Sequence, residues 1–507
     1  MIPVVTKQAM RDIDAYMISE MRIPSPTLME NAAFGITEAV TDRFGTETPV
    51  VAVCGTGNNG GDGLAAARQL EAKGYNVTVL LIGRAQDLSE DALLNAGFFS
   101  NKLREITDGA DAREHLSGLG GCAVIDVLFG TGLSREITGL FAEVISLINS
   151  SGAYIISCDI PSGIDADTGA VLGAAVRANE TVTFQYPKRG HYLFPGREHT
   201  GKLTIKEIGV VSGIGTGNTR VVTESLRLEK RKADTHKGSY GRLACIAGSQ
   251  GFAGAAVMCV KAALRAGAGL VTAGVPESLQ QIISITSPEA MTFALAESEG
   301  ALAENCAEGL NALLVDKTAL AAGPGIGTGV GAKMAVYHMM RNYNIRKVFD
   351  ADALNAIAEE PEILIAKVGD VLLTPHPGEF SRLSGLRLDD ILGDPVTAAE
   401  RFAAKHRVTL LLKGATTIVT NGAKTALIPF GSPGMAKGGS GDVLTGVIAS
   451  LMCGGRQGGM DSFPAALYGA YICGKAGEAA AASLGEYSMT AMDTLTHVPE
   501  VMKGMSG

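Results

Sequence analysis

Several features that would mark a specialised protein class are absent from this sequence of 507 residues. Its eight cysteines form no CxxC pair and no grouping with histidine that would suggest a metal site. Several lie in apolar runs, which predicts buried free thiols in a reducing compartment. No apolar run reaches the roughly 18 residues that a membrane span needs, and residues 1–4 lack a signal-peptide pattern. We therefore expect a cytoplasmic protein with no membrane partner.

Charged residues are also few, and the basic ones form no continuous stripe. Charged residues make up 19% of the chain and hydrophobic residues 46%, a balance typical of a packed globular protein and not of a disordered one. The net charge of −9 weighs against a nucleic-acid partner. The length predicts two or three domains, and the 65 glycines indicate many tight loops, as in α/β enzymes.

The stretch 436–442 combines glycines, a serine and one carboxylate directly before an apolar, helix-compatible run. A turn that opens a helix would leave the N–H groups of Gly439, Ser440 and Gly441 free to bind an anion. A carboxylate beside a bound phosphate can take the proton from an attacking hydroxyl while the N–H groups stabilise the transferring phosphoryl group. Asp442 is therefore a candidate catalytic base, and simple helix capping is the alternative.

The first half of the chain predicts strand–loop–helix units. We expect helices over 6–21, with Thr6 as cap, and over 29–44, then a strand at 49–54, a glycine-rich loop at 55–63, a helix at 64–73 and a strand at 77–82. Gly55, Gly57 and Gly60 satisfy GxGxxG. However, Gly83 and Arg84 stand where a dehydrogenase would carry an acidic residue, so an ordinary dehydrogenase domain is disfavoured.

Two further strands in this half end in aspartates, Asp126 and Asp159. Because a ligand crevice lies at the carboxyl ends of parallel strands, these aspartates and the glycine-rich loop should converge. Asn59, Asp126 and Ser162 carry oxygens that could bind a hard cation. The alternative is that each aspartate only caps a loop.

Four motifs of this half occur in the order of a known family. They are Asn-Asn-Gly-Gly-Asp-Gly from Asn58, Phe-Gly-Thr-Gly-Leu from Phe129, Asp-Ile-Pro-Ser-Gly-Ile-Asp from Asp159 and Gly-His-Tyr-Leu-Phe-Pro-Gly from Gly190. Residues 1–215 thereby resemble the NAD(P)H-hydrate epimerase (YjeF N-terminal-like) domain.

This resemblance implies a Rossmann-like three-layer α/β/α domain with a potassium ion on Asn59, Asp126 and Ser162. Inverting a hydroxyl-bearing carbon next to nitrogen needs an acid–base group, for which Asp159 is the candidate. The resemblance further implies that the hydrated nucleotide contacts Asn58, Asn59, Gly60, Gly61, Asp62, Gly130, Thr131, Gly132, Leu133, Ser134, Arg135, Glu136 and Asp159.

The glycine-rich run 212–218 marks the domain boundary, with a linker at 216–221. Beyond it we expect strands over 242–247, 271–275, 312–315 and 409–412. Asp350 and Asp352 close another strand and offer a magnesium site. His376 lies between two prolines and is expected to contact substrate, although a lone histidine is usually structural. Lys413 and the threonines after it are placed to meet nucleotide phosphates.

Five motifs of the second half resemble the ADP/ATP-dependent NAD(P)H-hydrate dehydratase branch of the ribokinase-like superfamily, over residues 222–507. They are His-Lys-Gly-Ser-Tyr-Gly from His236, Gly-Pro-Gly-Ile-Gly from Gly323, Thr-Pro-His-Pro-Gly-Glu from Thr374, Lys-Gly-Ala-Thr-Thr from Lys413 and Lys-Gly-Gly-Ser-Gly-Asp from Lys437. One departure is the lead-in Ser-Pro-Gly-Met from Ser432, where the family is richer in Asn and Thr.

This second resemblance implies a larger ribokinase-like α/β/α domain. It implies that the hydrate lies near Ala255, Gly327, His376 and Asp442. It also implies that the nucleotide contacts Lys413, Gly414, Ala415, Thr416, Thr417, Ser432, Lys437, Gly438, Gly439, Ser440 and Gly441.

Together the two resemblances imply a bifunctional metabolite-repair enzyme. The first domain would interconvert the R and S hydrates of NADH and NADPH, and the second would dehydrate the S form with Mg²⁺ and with ADP, or ATP, as phosphoryl donor. The resemblance favours ADP, and we expect a homo-oligomer. The alternative is a ribokinase-like kinase for a small molecule such as a vitamin precursor, fused to a nucleotide-binding sensor domain.

Overall fold

The computed structural model describes residues 1–99, 102–211, 213–223, 226–454 and 458–506. By internal contacts the chain divides into two compact units, Ile2–Thr219 and the chain from Arg220 onward together with Met1. This division falls inside the expected linker at 216–221. Ser212, which belongs to the glycine-rich run expected to mark the boundary, lies outside the described residues. In the described ranges no helix is both long and apolar enough to cross a membrane.

The first unit is an α/β domain built on parallel strands. Its strands are β1 (Ile2–Pro3), β2 (Val50–Cys54), β3 (Val77–Ile82), β4 (Leu103–Ile106), β5 (Ala123–Val127), β6 (Tyr154–Cys158), β7 (Glu180–Phe184) and β8 (Lys202–Lys206). Its helices are α1 (Lys7–Ser19), α2 (Ser25–Thr41), α3 (Asn58–Ala72), α4 (Glu90–Ala96), α5 (Gly109–Leu116), α6 (Gly139–Ser150) and α7 (Gly196–Thr200).

The main sheet of this unit has the order β4-β3-β2-β5-β6-β7-β8, and each pairing is parallel. Alternate residues of β2 enter two apolar cores: Ala52 packs in the cluster that contains α1, α2 and α3 residues, and Val53 in the cluster that contains α5 and α6 residues. Burial on both faces explains the continuous apolar runs of these strands. Strand order reverses between β2 and β5, which is where such sheets bind ligands.

Two expected boundaries in the first unit were wrong. Helix α2 begins at Ser25 and not at Met29, because Pro26 suits the first helical turn. Helix α3 begins at Asn58, so residues 58–63 form the first turns of a helix and not a loop. The glycines there permit close packing: a Cβ on Gly60 would lie 1.9 Å from the Gly55 carbonyl oxygen. The cap at Thr6 is confirmed, since its hydroxyl accepts a hydrogen bond from Ala9 N at 3.1 Å.

The second unit is also an α/β domain, with a larger mixed sheet. Its strands are β9 (Thr219–Val221), β10 (Arg242–Ile246), β11 (Leu270–Pro276), β12 (Met291–Leu295), β13 (Glu297–Ser298), β14 (Ala301–Leu302), β15 (Ala319–Ala322), β16 (Arg346–Phe349), β17 (Val371–Leu373), β18 (Thr409–Leu412), β19 (Thr417–Thr420) and β20 (Thr425–Ile428). Its helices are α8 (Ala253–Arg265), α9 (Gln280–Thr286), α10 (Ala307–Leu314), α11 (Val330–Asn342), α12 (Asp352–Glu359), α13 (Pro377–Ser384), α14 (Leu388–Gly393), α15 (Pro395–His406), α16 (Ser440–Cys453), α17 (Ser462–Leu484) and α18 (Ala491–Met505).

Its sheet runs in the order β9-β20-β19-β18-β17-β16-β15-β10-β11-β12, and the pairings from β18 to β12 are parallel whereas β19 and β20 are antiparallel. The order reverses between β10 and β15.

Residues 312–315, expected as a strand, close α10 instead, because Leu310, Leu313 and Leu314 face the core at helical spacing. All eight cysteines are free thiols, and all but Cys122 are buried, as expected.

Candidate active sites

A cavity of about 660 Å³ opens in the first unit where the strand order reverses. Expected substrate contacts that line it are Asn58, Asn59, Asp62, Gly130, Thr131, Gly132, Leu133, Ser134, Arg135 and Asp159. Gly60, Gly61 and Glu136 do not line it. Gly60 packs against Gly55, a Cβ on Gly61 would lie 2.5 Å from Met29 Cε, and Glu136 is exposed.

Asp159 follows β6 in a left-handed backbone conformation, with φ of 63°. Conformations of this kind in residues other than glycine cluster at functional sites. Its carboxylate forms an ion pair with Lys188, whose side chain is 1% exposed. Thr183 Oγ1 accepts from Lys188 Nζ at 2.9 Å and donates to Asp159 Oδ1 at 3.1 Å. The carboxylate of Asp159 is therefore already engaged.

His191 holds the backbone of this network. Its Nδ1 accepts from Lys188 N at 3.0 Å, so the ring proton lies on Nε2, which donates to the Asp159 carbonyl oxygen at 2.9 Å. Burial, assisted by the charge of Lys188, lowers the pKa of His191 to about 3. The imidazole is consequently neutral near pH 7, and it fixes Asp159 and Lys188 in place.

Sequence reasoning missed Asp14, Arg11 and Lys188 in this cavity. Asp14 lies on α1 beside the buried residues Ile13 and Met17, and a carboxyl group next to an apolar stripe was a usable signal. Burial raises the pKa of Asp14 to about 6, with Lys188 opposing and Asp159 reinforcing the shift. Burial, followed by the charges of Asp159, Asp14 and Asp91, raises the pKa of Asp62 well above its usual value.

The residues expected to hold a cation lie in one connected region. The buried carboxylate of Asp126 accepts from Ser162 Oγ at 2.6 Å, from Ser162 N at 3.0 Å and from Ser157 Oγ at 2.7 Å. Ser162 Oγ also accepts from Phe129 N at 2.9 Å. A Cβ on Gly130 would lie 3.2 Å from Asn59 Oδ1, so Asn59 lies against the same segment. Asn59 Nδ2 is buried without a hydrogen-bond partner in the described part of the chain.

In the second unit, helix α16 begins beside the candidate base Asp442. Its N-cap Gly439 has φ of 96°, a conformation that favours glycine. Among the described residues, the amides of Gly439 and Gly441 have no protein acceptor. The Ser440 amide lies 3.4 Å from the Lys437 carbonyl oxygen, so the expectation of an unengaged amide was wrong at Ser440. The helix start keeps two donors for an anion.

A buried ion pair lies next to this helix start. Lys413 Nζ donates to Asp350 Oδ1 at 2.8 Å and lies 3.6 Å from Glu379 Oε2. Thr445 Oγ1 donates to Asp350 Oδ2 at 2.8 Å. Burial lowers the pKa of Lys413, but the charges of Asp350 and Glu379 outweigh burial and raise it overall. The ammonium is therefore a fixed positive charge.

Asp442 itself differs from Asp350, because no hydrogen bond from the described residues reaches its carboxyl group. Burial and the charge of Asp350 raise the pKa of Asp442 to about 6, while Lys413 opposes the shift. A Cβ on Gly441 would lie 3.3 Å from Asp350 Oδ2 and 3.5 Å from Lys413 Nζ. The first turn of α16 thus contacts the ion pair, and the unengaged carboxyl group of Asp442 suits a general base near neutral pH.

Two expected hydrate contacts follow β10 and β15: Ala255 lies in the first turn of α8, and Gly327 lies in the loop after β15. Ser249 Oγ donates to the Gly325 carbonyl oxygen at 2.8 Å, and a Cβ on Gly325 would lie 3.1 Å from Ala255 Cβ. Gly327 N donates to Asp352 Oδ2 at 2.9 Å, and the charge of Asp352 contributes to the raised pKa of Asp442. These segments therefore approach the same region as Asp442.

His376 also has a structural role in this region. The ring Nδ1 of His376 accepts a hydrogen bond from Gly378 N at 3.0 Å, and the backbone N–H of His376 donates to Glu379 Oε2 at 2.8 Å. Together these bonds make a capping box at the start of α13. Glu379 is the residue that approaches Lys413. The side chain of His376 is 53% exposed, which leaves Nε2 accessible to a ligand.

The expected nucleotide contacts fall into two groups, residues 413–417 from the end of β18 to the start of β19 and residues 432–441 up to the first turn of α16. Gly414 and Ala415 are exposed, and Lys413 approaches Gly441 as described above. Ser432 Oγ accepts from Gly434 N at 3.2 Å and donates to Glu486 Oε1 at 3.0 Å. Lys437 Nζ donates to the Tyr487 carbonyl oxygen at 2.8 Å and also to that of Met489. Two of these polar side chains thus anchor the segment that precedes α16.

Comparisons with known proteins agree with this two-site geometry. Residues 25–190 match the family described as YjeF-related protein N-terminus, and residues 243–500 match the family described as NAD(P)H-hydrate dehydratase. The chain is 38% identical over 516 residues to the bifunctional NAD(P)H-hydrate repair enzyme Nnr of Moorella thermoacetica, covering 99% of this chain and 97% of that protein. The chain belongs to the family of bifunctional NAD(P)H-hydrate repair enzymes.

Two further comparisons give lower sequence identities. The enzyme of the same name from Thermofilum pendens is 34% identical over 97% of this chain and 95% of its own length. A crystal structure of the ADP/ATP-dependent NAD(P)H-hydrate dehydratase from Bacillus subtilis, co-crystallized with ATP/Mg²⁺, has 29% sequence identity and a TM-score of 0.47, and covers 55% of this chain and 95% of that one. The family suggested by the sequence motifs is confirmed.

Proposed function

We propose that this protein repairs hydrated NADH and NADPH. The first unit interconverts the R and S hydrates, and the second dehydrates the S form at the expense of ADP or ATP, which restores the reduced cofactor and releases phosphate. The observation that carries this proposal is the 38% identity, along 99% of the chain, to a relative named for that bifunctional repair. Family matches on both halves favour it over a kinase fused to a sensor.

In the second unit Asp442 takes the proton of the ring hydroxyl, and the hydroxyl oxygen attacks the terminal phosphoryl group of the nucleotide. The new O–P bond forms as the bond to the leaving nucleotide oxygen breaks. The free amides of Gly439 and Gly441 stabilise the transferring group. The ring nitrogen lone pair then expels the phosphate, and loss of a proton from the neighbouring ring carbon restores the double bond.

The ammonium group of Lys413, fixed by Asp350, places a positive charge beside the phosphoryl group in transfer. Residues 413–417 and 432–441 bind the nucleotide. Ala255, Gly327 and His376 contact the hydrate. Magnesium supplies positive charge to the phosphate oxygens when it is bound. Asp350 and Asp352 would hold it together with those oxygens, because Mg²⁺ usually takes one or two carboxylates plus phosphates. Asp350 and Asp352 fit this role because both follow the carboxyl end of β16 and the charges of both raise the pKa of Asp442.

In the first unit the cavity binds the hydrate through Asn58, Asn59, Asp62, the segment 130–135 and Asp159. Asp126, Ser162 and Asn59 would hold potassium, and the bound ion would supply a fixed positive charge. Their carboxylate, hydroxyl and amide oxygens fit a hard cation. The unpartnered Asn59 Nδ2 is a donor, so it would face an acceptor atom of the hydrate and not the ion. Asp159 is required for epimerisation, as acid–base group or as the counter-charge of Lys188.

The test is turnover of mixed R and S hydrates with Mg²⁺, K⁺ and either ADP or ATP. We expect both epimers to be consumed, with return of near-ultraviolet absorbance and release of one phosphate for each reduced cofactor. A stable phosphorylated product without release of phosphate would instead support the kinase alternative. Consumption of the S form alone would contradict the role of the first unit.

A homo-oligomer in the cytoplasm completes the proposal. Light scattering should then give a mass that is a multiple of the 52.3 kDa chain. A particle of a single chain mass at micromolar concentration would contradict the assembly, and it would leave the proposed chemistry unchanged.

A further inference from the structure

The carboxyl groups in the cavity of the first unit differ in what they contact. Asp159 is engaged by Lys188 and Thr183. In contrast, the carboxyl groups of Asp14 and Asp62 line the same cavity and accept no hydrogen bond from any residue that the structure describes. Two acidic groups therefore face the cavity with their oxygens available to a ligand.

Asp159 is poorly suited to carry a proton through the reaction. Protonation of its carboxylate would leave the buried ammonium of Lys188 without a counter-charge, which is strongly unfavourable. The contact of His191 with the Asp159 carbonyl oxygen also fixes the orientation of this residue. Asp159 is therefore better understood as a positioning residue with a permanent negative charge.

Asp14 reaches the cavity from α1, and Asp62 reaches it from the first turns of α3. The charged groups that face Asp14 are Lys188 and Asp159 from the loops after β7 and β6, and Asp62 from α3. Arg11 of α1 and Arg135 after β5 line the same space. The pKa of Asp14, about 6, leaves it ionised near pH 7, and Lys188 favours that charged form; at Asp62, burial and the charges of Asp159, Asp14 and Asp91 all raise the pKa, which favours the protonated form. Environments that separate two acidic groups in this way are typical of a base and an acid.

We propose that Asp14 and Asp62 form the proton-transfer pair of this cavity, with Asp14 as the base and Asp62 as the acid. This inference rests on the proposed epimerase function. The family model of the first unit matches residues 25–190, a range that does not include Asp14.

The chemical step balances with these two groups. Asp62 gives its proton to the hydroxyl on the carbon next to the ring nitrogen, the C–O bond breaks, and the nitrogen lone pair forms a C=N bond as water leaves. A water molecule then adds to the opposite face of that carbon, a new C–O bond forms, and Asp14 takes the surplus proton. The nitrogen regains its lone pair, the configuration is inverted, and exchange with solvent returns both groups to their starting protonation.

The test uses the full-length protein without nucleotide, so that only interconversion of the epimers is followed, by chromatography. Asp14→Asn should lower kcat for epimerisation by about 10²–10⁴-fold with little change in KM, as expected for loss of an acid–base group. Asp12→Asn is the matched control, because Asp12 is exposed on the same helix and, within the described ranges, its carboxylate accepts a side-chain hydrogen bond only from Gln8. Amide hydrogen exchange in β6 of the same variants reports whether the first unit is folded and should be unchanged. Dehydration of pure S hydrate, which the second unit performs, should be unchanged as well.

The pH profile separates proton transfer from a structural role. In the unsubstituted protein, kcat for epimerisation should fall below pH about 6 as Asp14 becomes protonated, and this limb should be absent from the residual activity of Asp14→Asn. Asp62→Asn should lower kcat by a similar factor and retain the limb. An Asp14→Asn variant that keeps more than about a tenth of the activity, or keeps the limb, would overturn the inference. If neither the unsubstituted protein nor Asp12→Asn epimerises the hydrates, the result contradicts the proposed epimerase function itself, and not merely the assignment of Asp14 and Asp62.

Discussion

The two units use the same electrostatic arrangement, built from unrelated elements. Each has a buried Asp–Lys pair, Asp159 with Lys188 and Asp350 with Lys413, next to a second aspartate whose pKa is raised to about 6. In the first unit that aspartate, Asp14, lies within a helix whose amides are already hydrogen-bonded. In the second unit Asp442 lies in the first turn of α16, beside free amides.

This difference matches the charge that each reaction would develop. A phosphoryl group in transfer carries negative charge on its oxygens, and the donors at the start of α16 can stabilise it. Inversion at a carbon next to nitrogen passes through a cationic ring, which carboxylates stabilise and backbone amides do not. The presence or absence of free N–H groups next to a raised-pKa aspartate therefore distinguishes the two chemistries.

The largest effect should follow from Asp442→Asn, which removes the base and keeps the shape of the side chain. Dehydration should fall by about 10³-fold or more, whereas epimerisation should be unchanged. The measurement is the rate of return of reduced cofactor, with epimer exchange as the internal control. Substantial dehydration by the variant would exclude Asp442 from the mechanism.

The two ion pairs should differ in their contribution to stability. Lys188→Met leaves the Asp159 charge unpaired at a site where the lysine is 1% exposed, so the first unit should lose about 3–5 kcal/mol of unfolding free energy. Lys413→Met leaves the Asp350 charge unpaired, and that side chain is 2% exposed whereas Asp159 is 14% exposed, so the loss in the second unit should be larger, about 5 kcal/mol.

Amide hydrogen exchange in β6 and in β16 reports the two units separately. Equal losses in the two variants would show that burial does not distinguish the pairs. A larger loss in Lys188→Met would reverse the comparison.

A smaller effect is expected from Gly441→Ala. The added methyl group would lie 3.3 Å from Asp350 Oδ2 and 3.5 Å from Lys413 Nζ, next to the free amides. We expect kcat/KM of dehydration to fall by about 10–100-fold, because the donors and the ion pair must shift apart. Gly504→Ala in α18 is the control, since its methyl group meets no atom within 4 Å. Equal activity of the two variants would contradict a role for the first turn of α16.

The smallest effect concerns pH. Asp442 acts as a base only when ionised, and its pKa is raised to about 6, so activity is retained above that pH and lost below it. Dehydration should be about half-maximal near pH 6 and fall about tenfold for each further unit of acidification. Rates measured with saturating nucleotide from pH 5 to 8 would check this. A flat profile down to pH 5 would mean that the carboxyl group is not the titrating base.

The sequence was most informative where strands end. Asp159, Asp350, Lys413 and Asp442 all lie at strand ends or at a helix start next to glycine, where local patterns carry information about the site. Asp14 and Lys188 were missed because their partners are distant in the sequence and are brought to them only by packing of α1 and of the loop after β7. The errors at 58–63 and 312–315 have the same origin, since tertiary packing turned a glycine-rich segment and a short apolar run into helix.

The lysine that precedes the glycine-rich turn shows how one side chain can serve two tasks. An ammonium group carries three protons. Lys437 gives two of them to the carbonyl oxygens of Tyr487 and Met489. The third remains available to an anionic oxygen, so an arriving polyphosphate could be held by Lys437 without releasing the chain segment that it anchors.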